Sequence, residues 1–204
     1  MGLNENELDA LVEIINIGSG RAAHSLSEMT GSRIVLSVPN IRVCSLSNFH
    51  DVAKNLRQEF STTVQQTFQG NVSGRALLAF ADTKAFELAR IVGGISATDS
   101  ELDEELQGIL EEIGNIVLNA ILRSLANLVD CPLSCSLPQL STNNSFSKII
   151  LGKDEQAHPS NSMVLIADTS IQVADRDISG SLLLLFETGD LEVMLSALME
   201  TPAG

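Results

Sequence analysis

One stretch of this chain occurs twice. Glu13-Ile14-Ile15-Asn16-Ile17 is matched 99 residues later by Glu112-Ile113-Gly114-Asn115-Ile116, and the register runs without gaps through Ser25-Leu26 and Ser124-Leu125 to Pro39 and Pro138. After a slightly longer insertion in the second half, Val72 to Phe80 matches Ile178 to Phe186. A repeat of such long period signals duplicated architecture. The halves, about 1–98 and 99–204, meet where Gly93 to Asp99 separates one helical pattern from the acidic start of the next. Each half holds one long amphipathic helix and about three strands, too little for a core of its own. The expectation is therefore one domain over residues 1–204 with an α+β fold. Two αβββα-like halves, related by a pseudo-two-fold, would share one mostly antiparallel sheet and leave two long site helices exposed.

Periodicity supplies the elements. Leu8, Leu11, Ile15, Ala22, Leu26 and Met29 recur at three- and four-residue spacing and predict a helix over about 6–30, stopped by Gly31. Its counterpart runs over about 100–129, with Ser100 as N-cap, acidic residues in the first turn, and Leu110, Val117, Ile121, Leu125 and Leu128 facing inward. Strands are predicted over 33–38, 60–68 and 72–81, the last two joined by a Gly70-Asn71 hairpin. A second helix over 83–92 closes the first half. Strands over 133–137, 163–173 and 178–186 and a helix over about 190–199 follow in the second. Residues 141–162 read as a loop with a short strand at 148–151. Pro39 and Pro138 are expected to shape the turn after the first strand of each half.

Charge and composition exclude several roles. Twenty-six acidic residues against twelve Lys and Arg give a net charge of −14, with no basic run to meet phosphates, and seven Phe without Trp or Tyr leave few platforms for base stacking. Nucleic acid and anionic membrane surfaces are thus not expected partners. Apolar runs such as Leu182 to Phe186 are far too short to span a bilayer, and residues 1–9 lack the features of a secretory signal, so a cytoplasmic location is expected. Cys44, Cys131 and Cys135 form no complete zinc set and read as buried or incidental thiols. His24, His50 and His158 are scattered, and no Ser or Cys has a nearby base to make a hydrolytic triad. Gly18-Ser19-Gly20 falls inside a helical pattern and is not a phosphate loop, which would follow a strand.

At about 100° per residue, Asp9, Glu13, Asn16, Gly20 and His24 share one stripe opposite the apolar face, and Gly108, Glu112, Asn115, Asn119 and Arg123 share its counterpart. A hydrated surface is the ordinary reading of such a stripe. Against it, Asn is a poor helix former, yet it stands mid-helix at the matching place in both halves with Glu three residues before it.

At these residues the chain resembles the CheC/CheX/FliY phosphatases of chemotaxis. Their signature is Asp or Ser, then Glu, Asn and Pro at fixed spacing. Asp9, Glu13, Asn16 and Pro39 match fully; Glu112, Asn115 and Pro138 match with Gly108 in the first place. Two copies in a chain of this length resemble the CheC type most, since CheX carries one and FliY adds a flagellar-switch domain. The resemblance implies hydrolysis of the aspartyl phosphate on a CheY-like response regulator. Asn16 and Asn115 would orient the attacking water, and Glu13 and Glu112 would pair with a regulator lysine. Asp9 would polarise or cap its neighbours; the second copy has Gly108 there, with no carboxylate or hydroxyl for such a role. The Mg2+ would sit on the regulator, with no metal bound by this chain. The alternative it allows is a regulatory binding module acting through a CheD-like receptor deamidase. A flagellar-switch structural role is the weaker third reading.

Overall fold

The computed structural model describes residues 4–49, 61–95, 103–128, 132–142, 162–173, 176–187 and 189–200. Helix α1 spans Glu5–Thr30. The Asn4 side chain accepts from the Glu7 amide at 2.9 Å and the Glu7 carboxylate accepts from the Asn4 amide at 2.8 Å, a reciprocal capping box. Gly31, at φ 65°, closes the other end and donates to the Ser27 carbonyl. Leu11, Ile15, Ala22 and Leu26 are buried as expected, whereas Met29, in the last turn, is 48% exposed.

Strand β1 spans Ile34–Ser45, β2 Thr62–Gln69 and β3 Gly74–Phe80; helix α2 spans Asp82–Gly93 and α3 Glu104–Leu128. Strands β4 (Ser134–Cys135), β5 (Gln139–Ser141), β6 (Met163–Val173) and β7 (Arg176–Phe186) precede α4 (Asp190–Glu200). The N-cap of α3 is Asp103, whose carboxylate accepts from the Leu106 amide at 2.9 Å. The expected cap Ser100, the short strand at 148–151, Cys131, His50 and His158 lie outside the described residues.

Pro39 does not sit where expected, whereas Pro138 does. Strand β1 runs through Pro39 and does not stop before it, and its register on β6 slips between Ser37 and Asn40. An edge strand can hold a bulge and a residue without N–H at that point. In the second half the strand expected over 133–137 is the shorter β4, Pro138 stands in the break that follows it, and β5 is a further short strand; both pair with β2. The β2–β3 connection is likewise longer than the expected Gly70-Asn71 pair, running from residue 70 to 73.

All described strands join one sheet in the order β1-β6-β7-β3-β2-β4, with β5 also on β2. Every printed pairing is antiparallel. The halves interleave: β1 of the first pairs with β6 of the second, while β4 and β5 of the second pair with β2 of the first. Strands β3 and β7 meet at the centre. Alternation along them sends Leu78, Phe80, Leu182, Leu184 and Phe186 into the main core under α1 and α3, and Leu77, Ala79, Leu183 and Leu185 to the opposite face with Leu46 and Phe49. A strand buried on both faces explains the unbroken apolar run from Leu182 to Phe186.

Candidate functional site

The two long helices carry the repeated residues. They approach closely at Gly18, where an added Cβ would stand 2.7 Å from the Ile121 Cα, so only glycine lets α1 and α3 pack at this distance. Gly20, on the outer side of the same turn, has nothing within 4 Å of such a position. Both lie inside α1, as the reading against a phosphate loop requires.

Helical geometry places the polar stripes outward. Asp9, Glu13, Gly20 and His24 are exposed and Asn16 is half-buried; Gly108, Glu112 and Arg123 are exposed and Asn115 and Asn119 are half-buried. Each Glu-x-x-Asn pair therefore shares one accessible helix face. His24 Nε2 lies 3.7 Å from the Glu28 carboxylate, one turn on.

The amide of Asn16 is held by backbone. Its Oδ1 accepts from the Val38 amide at 3.0 Å, while Nδ2 donates to the Val38 carbonyl at 3.2 Å and to the Val12 carbonyl at 3.0 Å. Val38 falls in the register slip of β1, so the side chain serves as its ladder partner from the helix side. Pro39 follows directly and restricts Val38 to extended backbone. The 22-residue spacing thus has a structural cause: asparagine grips the residue that proline presets. Pro39 itself is exposed and takes no part in the grip. Three of the four hydrogen-bonding positions of the amide are occupied, leaving one lone pair on Oδ1.

Asn115 is held differently. Its Oδ1 accepts from Gln66 Nε2 at 3.2 Å and from Asn119 Nδ2 at 2.6 Å. Gln66 Nε2 also donates to the Ser136 carbonyl at 3.1 Å, so a side chain from β2 bridges Asn115 to the segment before Pro138. Gln66 is 2% exposed and went unnoticed in the sequence. The signal was there: between Val64 and Phe68 it takes an inward strand position, where an amide needs a reason to be.

Beside Asn115 lies an open groove of about 490 Å³, lined chiefly by Arg21 and Ser25 from α1 and by Asn115, Asn119, Arg123 and Asn127 from α3. Arg21 Nη1 donates to Ser124 Oγ at 3.2 Å across the helix pair. Burial pushes the thiol of Cys135 above its ordinary range, and the nearby Arg123 charge pulls it partly back. Burial does the same to Cys44, opposed by Arg42. Among the described residues no group of three or more His, Cys, Asp or Glu converges, and no helix is long and apolar enough to cross a membrane.

The chain is similar in sequence and in fold to known proteins. Residues 7–42, which include Asp9, Glu13, Asn16 and Pro39, match the CheC-like family. The chain is 23% identical over 202 residues to the CheY-P phosphatase CheC of Bacillus subtilis, covering 97% of this chain and 96% of that one. Its fold resembles the crystal structure of Thermotoga maritima FliY, with TM-score 0.77 at 19% identity over 98% of this chain and 99% of the other. The middle domain of Helicobacter pylori FliM follows, with TM-score 0.63 at 13% identity over 96% and 99%. The chemotaxis protein CheX from Desulfovibrio desulfuricans gives 0.56 at 12% identity over 86% and 100%. The resemblance read from the two motifs is thereby borne out in sequence and in fold.

Proposed function

We propose that this chain, CheC-like in sequence and fold, hydrolyses the aspartyl phosphate of a CheY-like response regulator. The observation that carries this reading is the contrast between Asn16 and Asn115. An asparagine retained only for structure would keep its bonding partners in both halves. Here the partners differ, backbone for Asn16 and side chains for Asn115, while placement beside an exposed glutamate is common to both. The B. subtilis relative, a CheY-P phosphatase by name, supports the same reading.

An aspartyl phosphate is an acyl phosphate, and its hydrolysis asks chiefly for positioning and charge stabilisation. A water held on an amide oxygen keeps a lone pair free for in-line attack on phosphorus. Asn16 has such an acceptor position left on a side chain already fixed in place. Asn115 lines the groove, and its Oδ1 becomes available when the bond from half-buried Asn119 opens. Glu13 and Glu112, one turn away, pair with a lysine beside the regulator's phosphate. The Mg2+ of the reaction belongs to the regulator's acidic pocket.

One observation favours a second reading. Because Asn16 braces β1, its presence alone does not require catalysis, and an H. pylori FliM of similar fold was solved in complex with FliG. A regulatory binding module acting on a CheD-like deamidase is the corresponding alternative. Adding the chain to a phosphorylated CheY-like receiver with Mg2+ separates them. Accelerated phosphate loss supports the phosphatase; tight binding of a CheD-type partner with no acceleration supports the module.

A further inference from the structure

We propose that the groove beside Asn115 receives an acidic surface of the docked regulator, so that the two sites select for different partner charge. The inference rests on the reading that a regulator docks at Glu112 and Asn115. In a chain with 26 acidic residues, two of its twelve cationic side chains line this groove, and neither Arg21 nor Arg123 has a carboxylate partner among the described residues. The other polar lining residues, Ser25, Asn115, Asn119 and Asn127, are uncharged, so nothing in the lining neutralises the guanidinium groups. An unpaired Arg pair in an otherwise acidic surface attracts carboxylates of a partner and steers its approach.

The first site lacks this feature. Ninety-nine residues earlier, Gly20, His24 and Glu28 stand where Asn119, Arg123 and Asn127 stand, and His24 faces Glu28 at 3.7 Å. A carboxylate thus replaces an amide, and the arginine is absent. Along α3, Glu112 and Arg123 are eleven residues apart, or about 16 Å of helix. The fitting partner has a cation for Glu112 and, about 16 Å away, an anion for the groove. Both arginines are exposed, which suits side chains of a protein surface more than a small ligand, whose site would enclose most of it.

The test uses the full chain carrying Asn16→Ala, which removes the first site's chemistry. Arg21→Glu, Arg123→Glu and their double variant are compared with Arg33→Glu, an exposed position outside the groove with the same charge change. Kinetics are measured on the phosphorylated receiver at low and high salt. The double variant is expected to raise KM about tenfold at low ionic strength with kcat unchanged, the difference shrinking as salt screens it. Arg33→Glu should stay within about twofold. A KM equal to that of the Arg33 control, a fall in kcat instead, or an effect indifferent to salt overturns the proposal. If the wild-type chain turns over no receiver, the phosphatase reading fails by itself, and the receiver's Kd for the same variants decides the groove. Saturation by inorganic phosphate, with receiver affinity indifferent to charge reversal, would make it a small-anion site and overturn the proposal. Arg21→Gln and Arg123→Gln, with melting temperatures checked, guard against a folding artefact and should give about half the effect on a logarithmic scale.

Discussion

Replacing Asn16 with alanine should cost far more stability than replacing Asn115, although the two occupy the same place in the repeat. In the first case the Val38 N–H and C=O, on a residue 1% exposed, lose the amide that meets them at 3.0 and 3.2 Å. A buried polar group deprived of its partner costs about 1–3 kcal/mol, and alanine returns about 0.5 kcal/mol in helix propensity. With two such groups orphaned the net loss is about 1.5–5.5 kcal/mol, which for a chain of this size lowers Tm by roughly 3–22 °C. In the second case only side chains lose a partner. Gln66 keeps the Ser136 carbonyl, and half-buried Asn119 can turn to water, so about 1 kcal/mol or less is expected. Asn16→Asp should not rescue, because its second oxygen would face the Val38 carbonyl where Nδ2 now donates. With no Trp or Tyr, urea and thermal melts are followed by far-UV circular dichroism. Stabilities of Asn16→Ala and Asn115→Ala equal to within about 0.5 kcal/mol would refute the bracing role assigned to Asn16.

Packing and ionisation give three further outcomes. Gly18→Ala should destabilise, since its Cβ meets Ile121 backbone at 2.7 Å, whereas Gly20→Ala, with nothing within 4 Å, should stabilise by about 0.5–1 kcal/mol; paired urea melts check both signs. Cys44 and Cys135 should react with a thiol reagent more slowly in the native protein than in concentrated urea, read by peptide mass spectrometry. Because burial raises both above the ordinary value of 9.0, the folded form prefers the protonated thiols. Their contribution to stability is therefore present below the unfolded thiol pKa and is lost as pH rises through the folded one, so melts over the alkaline range should show falling stability.

Local signals in the sequence carried the helices well. The glycine at 31 bounded α1 and the apolar spacing identified its buried face, while the Asn4–Glu7 box that starts it was not read from the sequence. What failed was set by distant pairing. Pro39 reads as a strand terminator only until β6 is known to sit on one side of β1 and Asn16 on the other, for the bulge between Ser37 and Asn40 exists in that context. The exchange of first strands between halves was equally hidden, since Ile34 pairs with Val173 and a repeat reveals likeness of parts without saying which part meets which. The Glu-x-x-Asn pairs were legible because helix geometry alone turns residues three apart to one face. Gln66 was not, because its meaning depends on Asn115 arriving from another element.

The central claim is that the asparagines perform chemistry while the glutamates dock the partner. It is tested most directly by kcat and KM on a phosphorylated CheY-like receiver with Mg2+. Two double variants, Asn16→Ala with Asn115→Ala and Glu13→Gln with Glu112→Gln, are measured at a temperature where melts show both folded. The account expects the asparagine variant to fall to the receiver's own rate of phosphate loss even at saturation, and the glutamine variant to raise KM with much of kcat retained. An asparagine double variant with wild-type kcat would contradict it.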